Sequence, residues 1–321
     1  MLGEKNRLVP CTDRLLRLDP IMSLINWLLL AALSALWGGA FLFAKVAVSE
    51  IPPFVLVFLR VALAAALLHG VLRLSGGRLP MDRKSLAAFL LMGLLNNVIP
   101  FSLIFWGQTE IAAGLASILN ATTPMFTFLV AAVILRQEPV AGNRIAGALL
   151  GFAGVAAMLS AGLAGLATDP LSAQAACLGA ALSYAFAGAF GRRFRETPPL
   201  VTATGQLTAS TLIMAPIALM TAGDWSPGRV SLLVWSNVAA LGIFATALAY
   251  LLFFRLLARA GATSTSLVTL LIPVCALLFG HLLLGERLYP IQFAGLVVLL
   301  TRLALLDGRV LGLFRRKAKV Q

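Results

Sequence analysis

Ala113–Pro139 reads AGLASILNATTPMFTFLVAAVILRQEP, and Gly261–Pro290 reads GATSTSLVTLLIPVCALLFGHLLLGERLYP. Each is an apolar run of about the 20 residues that cross a bilayer as a helix, with a proline inside it and a glutamate near its end. Ser117, Asn120 and Pro124 recur as Ser266, Thr269 and Pro273 at an interval of 149 residues. Glu138 and Gly147 recur as Glu286 and Gly295 at 148, and the pair Pro52-Pro53 recurs as Pro198-Pro199 at 146. The order and spacing persist over half the chain, so the sequence reads as a duplication.

The composition agrees. Of 321 residues, 60% are hydrophobic and 12% charged, against about 45–50% and 25% in soluble domains. This excludes an ordinary soluble protein, and the apolar content excludes disorder. The net charge of +13 suggests nucleic acid at first sight, but the basic residues sit in short clusters between apolar runs, so no nucleic-acid partner is expected. Cys11, Cys177 and Cys275 are too few and too scattered for a disulfide framework or a metal site.

Hydropathy places spans at about 22–44, 54–72, 86–107, 112–135, 144–162, 172–190, 200–221, 231–254, 263–284 and 289–306. No segment alternates as a barrel strand would. Ten spans put both termini on one side. With that side cytoplasmic, 20 of the 25 basic residues lie there and three (Lys45, Arg229, Arg287) lie opposite, while Arg60 and Arg302 fall within spans. Such a bias fits the positive-inside rule. The expectation is therefore an all-α membrane protein of ten transmembrane helices in two five-helix repeats. Five is odd, so the second repeat enters from the other side, which is the inverted-repeat pattern of transporters. The segments are a cytoplasmic stretch 1–21, repeats 22–162 and 163–306, and a basic cytoplasmic tail 307–321.

Leu241–Gly295, LGIFATALAYLLFFRLLARAGATSTSLVTLLIPVCALLFGHLLLGERLYPIQFAG, closely resembles the second repeat of the EamA family in the drug/metabolite transporter superfamily, and ALWGGAFLFAK at Ala35–Lys45 resembles part of the first. RQEP in the first half departs from GERL, with one extra residue between Pro124 and Glu138. The resemblance implies a multi-pass inner-membrane carrier with a cavity between the repeats. That family includes exporters of amino acids, the YddG-type exporters of aromatic ones among them, and of other metabolites.

The residues offer no enzyme constellation and call for no cofactor or metal. There is no HExxH or hydrolase elbow, and His69 and His281 lack a carboxylate at partner spacing. All twelve acidic residues lie in tails, loops or span ends. Proton-coupled carriers usually keep one mid-membrane, so transport without an obligatory proton gradient is expected. Proline removes a donor to the carbonyl four residues earlier. Pro124 and Pro273 thus free the carbonyls of Asn120 and Thr269, and matched breaks of this kind point to a transporter site; the alternative is a plain kink. Ser117, Asn120, Pro124 and Thr127 share one helical face. Arg60 must face protein or water, either to hold a substrate carboxylate or to brace helix ends. Asn96 and Asn97 line the path or bond between helices. Trp37, Phe41, Trp106, Tyr184 and Tyr250 are candidate aromatic walls, while Trp27, Trp225 and Trp235 read as belt anchors. Glu138 and Glu286 read as turn or cap residues. The expected partners are the bilayer and a small molecule, most readily an amino acid exported by alternating access, with a monomer sufficient. Alternatives are a nucleotide-sugar exchanger or a lipid-handling protein.

Overall fold

The computed structural model describes residues 23–134 and 169–287, with scattered positions between 290 and 301. The expected fifth span, most of the tenth, both terminal segments, Glu138, Gly147, Gly151 and Arg302 lie outside the described residues.

Every regular element among the described residues is helical. Helix α1 is Leu24–Ala47, α2 Pro53–Leu74 and α3 Arg83–Glu110. Helix α4 is Ala113–Asn120, and α5 is Thr123–Phe128, which continues as a π-helical stretch Leu129–Ile134. Then come α6 Leu171–Gly191, α7 Pro199–Thr221, α8 Leu232–Gly261 and α9 Val268–Leu284. Seven helical stretches are long and apolar enough to cross a membrane, with α4 and α5 counted as one, and Leu271–Leu284 in α9 is a shorter apolar helix.

Local chemistry sets the starts. The Ser23, Asp82 and Ser231 side chains accept from the first free amides of α1, α3 and α8, which a helix leaves without internal partners. Pro52 and Pro198 sit at the N-caps of α2 and α7, with Pro53 and Pro199 in the first turn, where a missing N–H costs nothing. Glycine at 285 adopts a left-handed φ of 66° and ends α9, the usual helix stop.

The halves pack as counterparts. Helix α2 runs against α7; α1 lies along α9, as α6 lies along α4 and α5; α7 packs on α3, as α2 packs on α8. Each pairing has its equivalent when the halves are exchanged. Two π-helical segments, Leu94–Val98 in α3 and Ala240–Leu248 in α8, begin 146 residues apart, the interval of the proline pairs. Close approach is built in at Gly38, where a Cβ would fall 2.5 Å from Cys275 Cβ and 3.0 Å from the Ala276 amide of α9.

The two prolines do not act alike. Before Pro124 the helix is interrupted by a turn at Ala121 and Thr122, and the freed Asn120 carbonyl accepts from the Thr123 hydroxyl at 2.7 Å. Pro273 lies inside the continuous helix α9. There the chain has already turned at Ser266 and Leu267, so the proline falls near the start of the helix and removes one bond without breaking it.

Candidate substrate cavity

Where α1–α9 face one another they leave a cavity of about 440 Å³. Of the residues singled out from sequence, Trp37, Phe41, Arg60, Asn96, Asn120, Pro124, Tyr184, Tyr250, Thr269 and Pro273 line it. Two do not. Asn97, fully buried, faces α7, giving its amide to the Ser210 hydroxyl at 3.0 Å and accepting from the Tyr250 hydroxyl at 3.4 Å. Trp106, 40% exposed, lies on the outer face of α3.

Arg60 dominates the electrostatics. It is buried, 6% exposed. Its Nε donates to Thr246 Oγ1 at 2.9 Å, and its guanidinium lies 3.7 Å from the centre of the Phe101 ring. The cation–π contact offsets part of the desolvation, yet no carboxylate pairs with Arg60 among the described residues. Thr246 passes its own hydroxyl hydrogen to the Leu241 carbonyl, 2.7 Å away within the π-helical segment of α8, so its oxygen is free to accept from Arg60.

A second polar group spans three helices. The Asn96 amide donates to Gln206 Oε1 at 3.2 Å and to the Tyr250 hydroxyl at 3.0 Å. It ties α3 to α7 and α8 beside the cavity. Sequence reading missed Gln206, although it stands 146 residues after Arg60, the interval already set by the proline pairs.

Two cavity-lining amide oxygens have no partner. Asn120 Oδ1 and Gln108 Oε1 are buried without a hydrogen bond, an arrangement rare enough in proteins to call for an explanation. Gln108 is otherwise held fast, its side-chain amide nitrogen donating to the Phe41 carbonyl at 2.8 Å and its main-chain carbonyl accepting from Lys45 Nζ at 2.7 Å. Phe101, Phe105 and Gln108 follow one face of α3, so Phe101, whose ring carries the Arg60 guanidinium, and Gln108 stand about 10 Å apart along that helix, seven residues at about 1.5 Å each.

The cavity lining is buried at one end. Around Gln108, the side chains of Phe105 and Ser117 are buried. Nearby, Glu286 accepts from the amides of Ala113 at 2.7 Å and Gly114 at 3.0 Å, clamping the start of α4 from beyond the end of α9. A carboxylate suits this position, where free amides and the helix dipole both favour negative charge; Glu286 is thus a cap. At the other end Gly188 is exposed and Gly191 and Thr202 are half-buried. That mouth lies beside Arg192, Arg193 and Arg195.

Elsewhere among the described residues the two histidines are tied to helix neighbours. His69 Nε2 meets Thr208 Oγ1 at 2.9 Å, and His281 Nδ1 meets the Glu286 carbonyl at 3.2 Å. Among the described residues no cluster could hold a metal ion, and Cys177 and Cys275 are free.

Known proteins show the same architecture. The model of the EamA-like transporter family matches residues 25–160 and again 171–306, two copies that begin 146 residues apart. An uncharacterized transporter of Archaeoglobus fulgidus is 27% identical over 284 residues, covering 85% of this chain and 96% of its own. The uncharacterized inner membrane transporter YedA of Escherichia coli is 28% identical, covering 84% and 86%, and the protein PecM of Dickeya dadantii is 28% identical, covering 81% and 86%. A solved crystal structure matches with a TM-score of 0.62 at 21% identity, over 89% of this chain and 98% of that one, which shows the shared fold. The chain is a multi-pass membrane protein of two repeats, and it belongs to the EamA-like transporter family.

Proposed function

We propose that this transporter exports small zwitterions, apolar and aromatic amino acids foremost, across the inner membrane by alternating access. In this reading ten helices form two inverted halves, 22–162 and 163–306, with 1–21 and 307–321 in the cytoplasm. The observation that carries the substrate class is the lining of the cavity. It holds one buried cation without a carboxylate, Arg60, and two buried amide oxygens without a donor, Asn120 Oδ1 and Gln108 Oε1. A guanidinium pairs with a carboxylate through short charge-assisted bonds, and amide oxygens accept from an ammonium group. Trp37, Phe41, Phe101, Phe105, Tyr184, Tyr250, Phe253 and Phe254 surround them and suit an apolar side chain. A nucleotide sugar, with its diphosphate, calls for more than one cation. The mouth beside the arginines faces the cytoplasm under the charge rule, so the cavity is open inward and Glu286 and Gln108 close the outer end.

The test is uptake into liposomes of phenylalanine, leucine, their methyl esters and the decarboxylated amines. The intact amino acids should accumulate faster than either derivative by tenfold or more. Equal rates for the methyl esters would remove Arg60 as the carboxylate partner and with it the substrate class.

A further inference from the structure

A second cavity lies at the end of α2, away from the substrate path. It has a volume of about 480 Å³ and is lined by His69, Leu72, Arg73, Gly76, Gly77, Arg78, Leu79 and Met81, in the size range of ligand clefts. We propose that it holds the phosphate headgroup of an anionic phospholipid at the basic face of the membrane.

Three observations carry this. First, its cations are unspent. The carbonyls of Val71, Leu72 and Arg73 at the end of α2 are satisfied by the turn itself. The Ser75 amide bonds to the Val71 carbonyl at 3.0 Å, the Gly76 amide to Arg73 at 3.0 Å and the Gly77 amide to Leu72 at 2.9 Å. Arg73 and Arg78 are therefore not needed as helix caps, and neither pairs with a carboxylate among the described residues. The acid nearest in sequence, Asp82, is engaged at the start of α3. The Ser85 hydroxyl and the Ser85 and Lys84 amides hold its carboxyl below the usual carboxylate range.

Second, the histidine is oriented. The Thr208 hydroxyl donates to the Thr204 carbonyl at 2.7 Å, so toward His69 it is an acceptor and Nε2 carries the hydrogen. Nδ1 then presents a lone pair without a partner among the described residues, an acceptor suited to a headgroup hydroxyl such as that of phosphatidylglycerol rather than to the phosphate oxygens.

Third, the rim is apolar. Leu74, the last residue of α2, is 92% exposed and Met81 is 72% exposed. Exposed apolar side chains beside unpaired arginines at a helix end match the boundary between acyl chains and headgroups, where basic pockets take anionic lipids. A free phosphate would use the arginines but have no use for the apolar rim. The His69–Thr208 bond joins α2 to α7, so a bound lipid would brace the pair of helices that carries Arg60 and Gln206.

The experiment uses the full chain in detergent, with native mass spectrometry to count retained lipid. Phosphatidylglycerol, phosphatidylcholine and inorganic phosphate are the three probes. The wild-type protein should retain phosphatidylglycerol over phosphatidylcholine, and the double variant Arg73→Gln/Arg78→Gln should weaken that retention on the order of 25-fold, a factor of about five for each basic residue near an anionic lipid. The control Arg83→Gln/Lys84→Gln changes the first turn of α3, outside the pocket, and should retain the lipid as wild type does. Melting in phosphatidylcholine alone should be equal for all three proteins, which excludes misfolding. Undiminished phosphatidylglycerol retention by the pocket variant would overturn the proposal. So would displacement of the lipid by millimolar inorganic phosphate, which would make the site one for free phosphate.

Discussion

The two halves supply matching positions to one cavity but fill them differently. The first repeat contributes Arg60, a helix broken before Pro124, and Asn120 with an unpartnered oxygen. The second contributes neutral Gln206 at the same interval, a helix unbroken through Pro273, and Thr269, whose hydroxyl donates to the Ser266 carbonyl at 2.7 Å. Among the cavity-lining residues the buried charge, the helix break and the unpartnered amide oxygens all belong to the first repeat. The duplication gives both halves the same frame, and under the proposed function divergence would place recognition in the first repeat.

The strongest test of that asymmetry is Arg60→Gln against Gln206→Ala. The first should slow initial amino-acid uptake about 100-fold, since losing one partner of a buried charge pair costs about 2–5 kcal/mol; the second should stay within about threefold. The melting temperature of Arg60→Gln should not fall, because a buried unpaired charge is itself a burden. Comparable losses for both variants would erase the asymmetry. The prolines come next. Pro124→Ala should let α4 run into α5 and cut uptake about tenfold, whereas Pro273→Ala, inside a helix already continuous, should cost no more than about twofold. Circular dichroism can register the added helical turn, and its absence in Pro124→Ala would mean that the break belongs to Thr123 and its bond to Asn120.

A smaller contrast is expected between Asn120→Ala and Thr269→Ala. A hydrogen bond within the membrane is worth about 0.6–2 kcal/mol, so the first should slow uptake by about three- to thirtyfold and the second by less than twofold. Both should melt near the wild type, read by the same thermal assay. The smallest effect concerns protons. No carboxylate lines the cavity among the described residues, so liposomes at equal pH on both sides should still equilibrate a neutral amino acid. A strict need for a pH gradient would assign coupling to a group at the span ends, Glu110 or Glu286.

Much of the helical frame was legible in the sequence because apolar runs and paired prolines are read directly by the bilayer and by helix starts. The expected second span, 54–72, became Pro53–Leu74, and the eighth, 231–254, became Leu232–Gly261. Glu286 could be read as a cap from its place after a glycine stop. The cavity was legible in outline, since polar and aromatic side chains within spans have few other places to go. What sequence could not decide was facing. Asn96 and Asn97 are adjacent, about 100° apart around a helix, and the π-helical turn that holds both has no signature in its residues. Trp106 follows the same logic, its indole pointing out of the bundle while Phe105 points in. Gln108 and Thr246 were overlooked because a single amide or hydroxyl in an apolar run carries no spacing of its own; only the bonds to Phe41 and Arg60 reveal them.

The π-helical segments bear on how such a chain can change its length over evolution. A π turn is an α-helix holding a surplus residue, so the flanking stretches keep their facing while the count between them differs. The segment in α3 is five residues long and its counterpart in α8 nine, and it is between Pro53 and Ser117 on one side, and Pro199 and Ser266 on the other, that the repeat interval drifts from 146 to 149. Insertions that would scramble a span elsewhere can be parked there. A single-residue deletion within Ala240–Leu248 should be tolerated where the same deletion in α2 is not, and natural length variation among homologous spans should gather at these two stretches.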